Sequence, residues 1–430
     1  MPYGRQGYTV STDAITTYKN DGATPYLRFS NPFPSGLNKP AGSSGGVNTD
    51  LGLSTTGPLR SMTDTPYEQS WSFGIEREVP YNIFLTAIYA GKKGTHLYFA
   101  GLNGLNHLGK EIESYTNDQI NDLNASIDNP FIASQTFTNP NSPYYYGNDT
   151  ITAYQLKQPY WQFPQGLATE GWPTADSHYH SLQLMAEKRY SNGMQFLVTY
   201  VWSKSIDDSS VPDDNTTWLG SFTSLQDPNR PELEKSLSTF DIPSVFQASY
   251  IYELPIGRGK AFLSHMPTWL NTAVGGWKTN GVWRVSSGRP LSFTTYNSAS
   301  LPTYSDMKRP NLTGKPHRSY AKHSTMINAF FTNPDVFVDP ADYKLGSMPR
   351  ATSLIRSPLS FTGSASMEKL FSLKSIRDGM NLELRLEADN PLNHPVFGSP
   401  DTGIHDDEFG QITYTSNGPR QIQLGVKVTF

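Results

Sequence analysis

The sequence predicts an all-β fold, namely a segment of an antiparallel transmembrane β-barrel with long loops on one side of the membrane. Three observations lead to this prediction: a composition rich in aromatic and turn-forming residues, strands that alternate apolar and polar side chains, and connections that alternate between short and very long. Aromatic residues make up 13% of the chain, and 35 Gly and 32 Pro residues supply turns. Charged residues make up only 17%, against about 25% in ordinary soluble domains.

Composition also excludes several classes of protein. The 430-residue chain has no cysteine, so disulfides, thiolate metal sites and a cysteine nucleophile are impossible. The net charge of −4 shows no basic excess, which argues against binding to nucleic acid. No apolar run reaches the ~18–20 residues of a transmembrane helix. The mean hydropathy of −0.49 still suits barrel strands, because they alternate apolar with polar residues.

The clearest strand covers residues 421–430 at the end of the sequence. Its even-numbered residues are apolar and its odd-numbered residues are polar or glycine, which is typical of a strand with one dry and one wet face. Its length matches the roughly 9–11 residues of a tilted transmembrane strand. We therefore expect Lys427 to face the lumen of a barrel and Phe430 to lie at the periplasmic rim.

Leucine alternates with charge in the preceding strand, predicted over residues 380–390. Glu383, Arg385 and Glu387 share its polar face, so we expect them to face the lumen as a ladder of ion pairs rather than to act as catalytic carboxylates. In the strand predicted over residues 179–190, Lys188 falls on the apolar face, where we expect it to reach toward lipid headgroups. The other predicted strands cover residues 69–79, 81–92, 194–205, 244–254, 277–287 and 367–373.

Connections between the predicted strands alternate in length. The tight turns are residues 79–81, 191–193 and 376–379, and the long segments are residues 94–178, 206–243, 297–363 and 391–419. Outer-membrane barrels have short periplasmic turns and long extracellular loops, whereas compact soluble domains rarely hold such loops. Two details qualify the pattern: the connection 255–276 is longer and has a predicted small helix over 267–274, and residues 277–297 must form one strand kinked at 288–290.

Large aromatic side chains lie near the predicted strand ends. This placement fits the girdles that mark both membrane interfaces of a barrel, and it also fits the general preference of aromatic residues for strands. The residues concerned are Trp71, Tyr190, Trp202, Trp277 and Phe430.

Motifs throughout the chain resemble TonB-dependent receptors of the Oar-like type. Two early ones are YEQSWSFGIERE at 67–78 and AGKKGTHL at 90–97. The other matching stretches are NPFPSGL at 31–37, YHSLQ at 179–183, EKRYSNG at 187–193, YVWSKSIDD at 200–208, GWK at 276–278, SGRP at 287–290, NPLNHPVFG at 390–398, FGQI at 409–412 and PRQIQL at 419–424. Each piece is weak alone, and the set is specific.

The resemblance implies that residues 1–430 form the C-terminal part of the receptor barrel, with about ten of its roughly 22 strands, and that the plug and N-terminal domains are absent. The resemblance also implies that the protein lies in the outer membrane of a Gram-negative bacterium. Its extracellular loops would capture a ligand, and movement of the plug would drive uptake of that ligand. The implied partners are outer-membrane lipid, the barrel assembly machinery, which reads Phe430, the TonB complex through the missing plug, and an unidentified ligand. The first residues lack a signal peptide, so we expect a start further upstream or a cytoplasmic protein.

The sheet is expected to be open rather than closed on itself. About ten strands would close into a narrow barrel filled by its own side chains. The charged residues Glu383, Arg385, Glu387 and Lys427 suit a wider, wet interior. We therefore expect the first and last strands to remain unpaired with each other.

Three groups of residues are candidates for binding. Tyr144, Tyr145, Tyr146, Tyr154 and Trp161 are expected to stack on a ligand such as a glycan, or else to pack within their own loop. His178 and His180 have the spacing of a metal-binding pair on one strand face, although polar surface residues show the same spacing. Clustered carboxylates form a candidate Ca²⁺ site or a solvated acidic loop, at Asp207, Asp208, Asp213 and Asp214.

Catalysis is not predicted. The sequence has no Gly-x-Ser-x-Gly, His-Glu-x-x-His or phosphate-binding glycine-rich motif. We predict no cofactor and no metal. The alternatives to a receptor barrel are a secreted β-rich glycan-binding or adhesion protein and, behind it, a β-rich glycoside hydrolase.

Overall fold

The computed structural model describes residues 12, 14, 16–17, 22–40, 42, 49–56, 64–99, 106–139, 141–168, 172–210, 226–227, 230–296, 308–320 and 323–430. They belong to two compact units. One unit comprises Met1–Met62, Gly101–Gly171 and Leu301–Tyr304, and the other comprises Thr63–Ala100, Trp172–Ser300 and Ser305–Phe430. Among the described residues, no helix has the length and apolar character needed to cross a membrane.

The larger unit is built on one antiparallel sheet in which neighbouring strands follow each other along the chain. The short strand Ser236–Leu237 also pairs with the fourth strand. The nine strands that form the row are β1 (Tyr67–Val79), β2 (Ile83–Phe99), β3 (Trp172–Ser191), β4 (Met194–Asp207), β5 (Ser244–Glu253), β6 (Trp277–Ser286), β7 (Ser360–Ser372), β8 (Asn381–Asp389) and β9 (Gln421–Thr429).

Short connections all fall at one end of this sheet. The β1–β2 turn places Tyr81 and Asn82 at φ 72° and 58°, and the β3–β4 turn places Asn192 and Gly193 at φ 53° and 75°. Successive positive φ values are typical of the tight hairpin turns whose twist matches that of paired strands. The β5–β6 connection carries the helix α3 (Thr268–Val274). The predicted alternation of short and long connections, including this helix, is confirmed.

Three predicted boundaries are wrong. The segment 94–178 was predicted to be a long loop, but β2 continues to Phe99 and β3 already begins at Trp172. β7 begins at Ser360, before the predicted start at residue 367. Residues 277–297 do not form one strand, because the backbone of Arg289 leaves the sheet and exchanges hydrogen bonds with Ser357 at 2.9 Å in both directions. Pro290–Leu291 then pairs with Thr352–Arg356 in a separate small sheet.

The two faces of the sheet differ in character across all nine strands. Residues that lie opposite one another on neighbouring strands form rows, and these rows are mostly apolar on one face of the sheet and mostly polar on the other. For example, Leu386 of β8 lies opposite Met367 and Leu424 on the apolar face, whereas Glu387 lies opposite Ser366 and Gln423 on the polar face. The alternation that the sequence predicts in single strands therefore continues across the sheet.

Pairing also staggers the strands steadily in one direction. A single row of paired residues runs Val79, Ile83, Lys188, Phe196, Tyr250, Gly281, Ala365, Ala388 and Ile422. This row begins at the last residue of β1, at the short-connection end, and finishes at the second residue of β9, at the other end. Strands that tilt relative to a barrel axis require this kind of stagger.

The sheet is open. Within the described part of the chain, β1 and β9 are its two edges and do not pair with each other. This agrees with the expected open sheet.

The described parts of the long connections of the larger unit have a hydrophobic core of their own. Phe293, Phe330, Phe331 and Phe337 are buried in it, and the rings of Phe293 and Phe337 stack with centroids 4.5 Å apart. These connections also contain short regular elements. They are the strand pair Asn311–Leu312 with Phe337–Val338, the 3-10 helices Pro231–Glu234 and Pro334–Val336, and the helix His323–Met326. Burial of these aromatic rings gives the connections a defined conformation.

The smaller unit is built from short elements around an aromatic core. Its helices are α1 (Asn117–Asn124) and α2 (Ala153–Lys157), with a 3-10 helix over Lys110–Ser114. Thr116 caps α1, because its side-chain hydroxyl accepts a hydrogen bond from Gln119 N at 3.3 Å and its own backbone N donates one to Gln119 Oε1 at 2.9 Å. Its paired strands are Ser126–Asp128 with Thr150–Thr152 and Thr55–Thr56 with Leu167–Ala168.

Candidate functional site

A row of alternating charges crosses the polar face of the sheet. Glu253, Lys278, Glu368 and Arg385 lie directly opposite one another on the successive strands β5 to β8. Lys278 Nζ is 3.9 Å from Glu253 Oε1. Opposite charges paired across strands stabilise a sheet, whereas like charges in these positions repel. The polar face therefore presents charge that is compensated from strand to strand.

The four residues predicted to face a lumen share this polar face. Glu383 lies directly opposite Lys427, and Arg385 Nε is 2.8 Å from Glu387 Oε1. Arg385 and Glu387 are nearly half exposed and line a cavity of about 640 Å³ together with Asp389. With Arg385 engaging Glu387, the two glutamates do not form an isolated acid–base pair. Arg385 and Glu387 form an ion pair within β8, while Glu383 and Lys427 stand in register on neighbouring strands.

On the apolar face, two lysines are tied to the short connections. Lys188 Nζ donates to the carbonyl of Tyr81 at 2.5 Å and to Ser191 Oγ at 2.8 Å. Lys369 Nζ donates to the carbonyls of Thr272 and Gly275 at 2.6 and 2.5 Å. The expectation that Lys188 reaches toward headgroups is wrong, because backbone and hydroxyl acceptors of the protein already bind its ammonium.

Lys369 was missed in the sequence, although its position carried a signal. It stands on the apolar side of β7, opposite Trp277 and Leu384. Its ammonium lies 5.6 Å from the centre of the Trp277 ring and 4.9 Å from that of Phe371. The signal in the sequence was a lysine among the apolar residues of a strand. Because a buried charge needs hydrogen-bond partners, such a lysine indicates an ammonium bound by backbone carbonyls.

The aromatic candidates of the smaller unit divide into buried and accessible rings. Tyr144 is 0% exposed, and its hydroxyl donates to the carbonyl of Gln155 at 2.8 Å. Burial raises the pKa of the Tyr144 hydroxyl above its ordinary value, and it raises that of Tyr154 to about 12. Neither ring can stack on a ligand in this conformation, so packing within the loop, the alternative weighed from the sequence, describes both.

Trp161, Tyr145 and Tyr146 remain accessible. Trp161 is partly exposed and stacks on Phe131 with ring centroids 5.7 Å apart. Tyr145 packs against Tyr146 at 4.6 Å. A ligand-binding role for these three rings remains a prediction.

Of the two histidines, His180 already has partners within the sheet. His180 Nδ1 forms a hydrogen bond of 2.8 Å with the Tyr89 hydroxyl, and its ring lies 6.0 Å from that of Trp71. Trp71 in turn covers Gly91, where a Cβ atom would lie 2.4 Å from the indole. Among the described residues, no group of three or more His, Asp or Glu side chains is placed to hold a metal ion.

Asp207, the last residue of β4, binds an arginine, and the following Asp208 binds a backbone amide. Asp207 Oδ1 accepts from Arg350 Nη2 at 2.5 Å, and Asp208 Oδ1 accepts from the backbone N of Asp176 at 2.7 Å. Burial raises the pKa of the Asp208 carboxyl to about 6. Asp213 and Asp214 lie outside the described residues.

Two more buried ion pairs join the same segments. Arg309 donates to Glu234, whose side chain is fully buried, and Arg356 Nη2 donates to Asp241 Oδ2 at 2.6 Å. These arginines follow β6 and their carboxylates follow β4. Sequence reasoning missed them because partners so distant along the chain leave no local pattern.

Thr295, Asp339 and His405 are close together but do not form a nucleophilic triad. His405 Nε2 is 2.9 Å from both oxygens of Asp339, and the Thr295 hydroxyl donates to the same carboxylate. In a triad the imidazole lies between the hydroxyl and the carboxylate. Here the carboxylate lies between the other two groups, so the imidazole cannot take the proton of the hydroxyl. The cluster links three chain segments.

A staggered antiparallel sheet, apolar on one face and charged on the other, with connections alternating in length, has the features of a membrane β-barrel wall. The chain belongs to the outer membrane beta-barrel domain family, whose sequence model matches residues 3–423. It is an outer-membrane protein, which decides against the secreted, soluble alternative.

Comparison with solved structures finds the outer membrane transporter YddB from Escherichia coli, with a TM-score of 0.37 and 10% sequence identity. The match covers 87% of this chain and 34% of the transporter, so this chain spans about a third of that protein's length. No curated protein sequence matches this chain.

Proposed function

We propose that this chain is the C-terminal part of the barrel of a TonB-dependent receptor of the Oar-like type, which captures a ligand and takes it up across the outer membrane. The observation that carries the proposal is the division of the connections, short at one end of the sheet and long and internally packed at the other. In such receptors the long connections face outward and meet the ligand first. The role is binding and transport, not catalysis.

The open edges favour a larger barrel. In lipid each unpaired backbone N–H or C=O group costs several kcal/mol, so β1 and β9 need further strands beside them. A barrel of roughly 22 strands, as in large outer-membrane transporters, supplies these strands and leaves a lumen wide enough for the charged row.

Apolar side chains on the polar face support the proposal that a plug domain fills the lumen. Leu197 and Val282 lie opposite Ser249 on either side, and Ile251 follows on the same face of β5. All three are exposed in the isolated chain, as is Leu370 of β7. A domain that occupies the lumen removes this apolar surface from water.

Aromatic residues on the apolar face favour two interfacial girdles. Trp71 and Trp202 lie toward the long connections, and Tyr190, Trp277 and Phe430 lie at the short-connection end. Trp71, Trp202, Tyr190 and Phe430 are exposed. Rings at both borders of an apolar band match the aromatic belts of outer-membrane barrels.

The orientation is tested by adjacent substitutions on β9. Leu424→Lys places a charge on the face proposed to contact lipid, where it costs about 2–4 kcal/mol near the midplane. Gln423→Lys places the same charge on the proposed lumen face. We expect the first variant alone to lose the folded, heat-modifiable form in outer-membrane fractions. Equal recovery of both variants would contradict the assignment of faces.

The receptor assignment is tested on the natural protein. Mass spectrometry of the outer-membrane protein that carries this sequence should detect peptides of a plug and of further strands. We also expect uptake of its ligand to stop, and surface binding to persist, in cells without TonB. A mature product with no plug, or uptake that is independent of TonB, would overturn the proposal.

A further inference from the structure

Two adjoining cavities lie at the long-connection end of the larger unit. The larger, of about 650 Å³, is lined by the end of β6 and by residues that follow β6 and β8. The smaller, of about 430 Å³, shares the wall formed by Ser287, Gly288 and Ser357. Cavities of about 300–1,000 Å³ are the usual size of small-ligand sites.

The charge of these cavities is of one sign. Arg284 and Arg289 line the larger, and Lys315, His317 and Arg318 line the smaller, together with Arg356. No Asp or Glu is among the described residues that line either cavity. The 640 Å³ cavity on the polar face of β7 to β9 differs, because its arginine is paired with a glutamate.

Arg284 is the cation best placed to bind a ligand. It is exposed on the polar face of β6, between Gln247 and Thr362 of the neighbouring strands. Among the described residues, no hydrogen bond or ion pair engages its guanidinium. Arg356, in contrast, is committed to Asp241, and Arg318 lies over the ring of Tyr320 at 4.6 Å.

Hydroxyl groups and one accessible ring complete the larger cavity. The hydroxyls include those of Thr239, Ser286, Ser292, Ser360, Thr402 and Ser416. The Tyr414 ring is 55% exposed and lies against Gly398, where a Cβ atom would come within 2.3 Å of it. The backbone of Gly398 also donates to the Tyr414 carbonyl at 3.0 Å. These contacts position the ring at the cavity wall.

We propose that the larger cavity binds a polyhydroxylated anion of the sugar-acid class, which is the ligand the receptor takes up. Guanidinium groups bind carboxylates in a bidentate manner, and Ser and Thr hydroxyls both donate to and accept from sugar hydroxyls. The face of Tyr414 offers an apolar surface to a sugar ring. The smaller basic cavity raises the local concentration of anions. This inference rests on the proposed receptor function and names its ligand class.

Binding is measured by calorimetry on the natural outer-membrane protein in detergent. The probes are trigalacturonate as the acidic saccharide, maltotriose as its neutral counterpart, and inorganic phosphate as a simple anion. We expect trigalacturonate to bind most tightly of the three probes. Arg284→Gln should lower the affinity for trigalacturonate by about tenfold or more. Arg377→Gln, in the exposed β7–β8 connection, is the matched control and should leave the affinity unchanged.

A second variant separates saccharide from simple-anion binding. Tyr414→Leu should lower the affinity for trigalacturonate severalfold and leave the affinity for phosphate unchanged, because phosphate has no ring that could stack on the tyrosine. No binding of trigalacturonate, equal binding of phosphate, or an unchanged affinity in a folded Arg284→Gln variant would each overturn the proposal.

Different experimental results would contradict the proposed ligand class and the proposed receptor function. Binding of trigalacturonate without uptake by energised cells would contradict the receptor function and leave the site intact. Uptake of a ligand that is unaffected by Arg284→Gln would contradict the site and leave the receptor function intact.

Discussion

Arg350 donates a hydrogen bond from Nη2 to Asp207 Oδ1 at 2.5 Å, and the two residues are 143 positions apart in the chain. Arg350 Nε also donates to the carbonyl of Glu234 at 3.2 Å. Only 4% of the Arg350 side chain and 11% of the Asp207 side chain are exposed. A buried pair of this kind adds little over an apolar pair, but loss of one partner leaves an uncompensated charge. The segments after β4 and β6 are thereby held together.

Replacement of Arg350 should release these segments. We expect Arg350→Met to lower the free energy of unfolding by about 3–5 kcal/mol, because Asp207 loses its partner. Limited proteolysis should then cut within the segments after β4 and β6. The double variant Arg350→Met with Asp207→Leu should recover much of the loss, since no buried charge remains. A single variant as resistant to protease as the native protein would contradict this account.

Asp208 should make stability depend on pH. The folded protein holds this proton up to about pH 6, whereas the unfolded chain releases it near pH 4. The folded state therefore binds more protons in that window, and stability falls as pH rises through it. Asp208→Asn should raise the free energy of unfolding by about 1–2 kcal/mol at pH 7, which is less than the full pKa difference gives because the carboxyl is only partly buried and solvent screens it.

That gain should disappear below about pH 4, where the native carboxyl is neutral in both states. Asp378→Asn, in the exposed β7–β8 connection, serves as the control. A gain that is constant from acid to neutral pH would mean that the effect does not come from titration of Asp208.

Lys369 should stabilise the short-connection end of the sheet. Lys369→Met leaves the carbonyls of Thr272 and Gly275 without this donor, so we expect a loss of about 1–3 kcal/mol in urea unfolding in detergent. Lys374→Met alters an exposed lysine in the neighbouring connection and should have no effect. Stabilisation by Lys369→Met would show that the cost of burying the charge in an apolar row outweighs its hydrogen bonds.

Phe430 should be needed for assembly. It is 80% exposed, and its apolar neighbours on β9 are in step with it. We expect deletion of Phe430 in the natural outer-membrane protein to lower the heat-modifiable fraction in the outer membrane without changing synthesis. Phe430→Tyr keeps an aromatic ring and should insert normally. Equal insertion of the deletion variant would assign the residue no role in assembly.

Much of the fold followed from local patterns. Alternation in residues such as Leu382, Glu383 and Leu384 is enough to define a strand and its two faces, because side chains on a strand point in opposite directions in turn. Turn residues such as Asn192 and Gly193 mark the hairpins, since their φ values favour these residue types. The two faces of single strands, the tight turns and the place of Arg385 on a polar face were therefore predictable.

Only the tertiary structure decided which residues of the long segments meet. The arginine pairs, the aromatic core around Phe293 and the basic cavities bring together residues far apart in sequence, and no period or spacing encodes such contacts. Tyr144 illustrates the limit, because the same ring serves equally well to bind a sugar or to fill a core. Its environment, in which Phe137 and Ile151 are also buried, determined that it packs inside, because burial of its ring removes apolar surface from water.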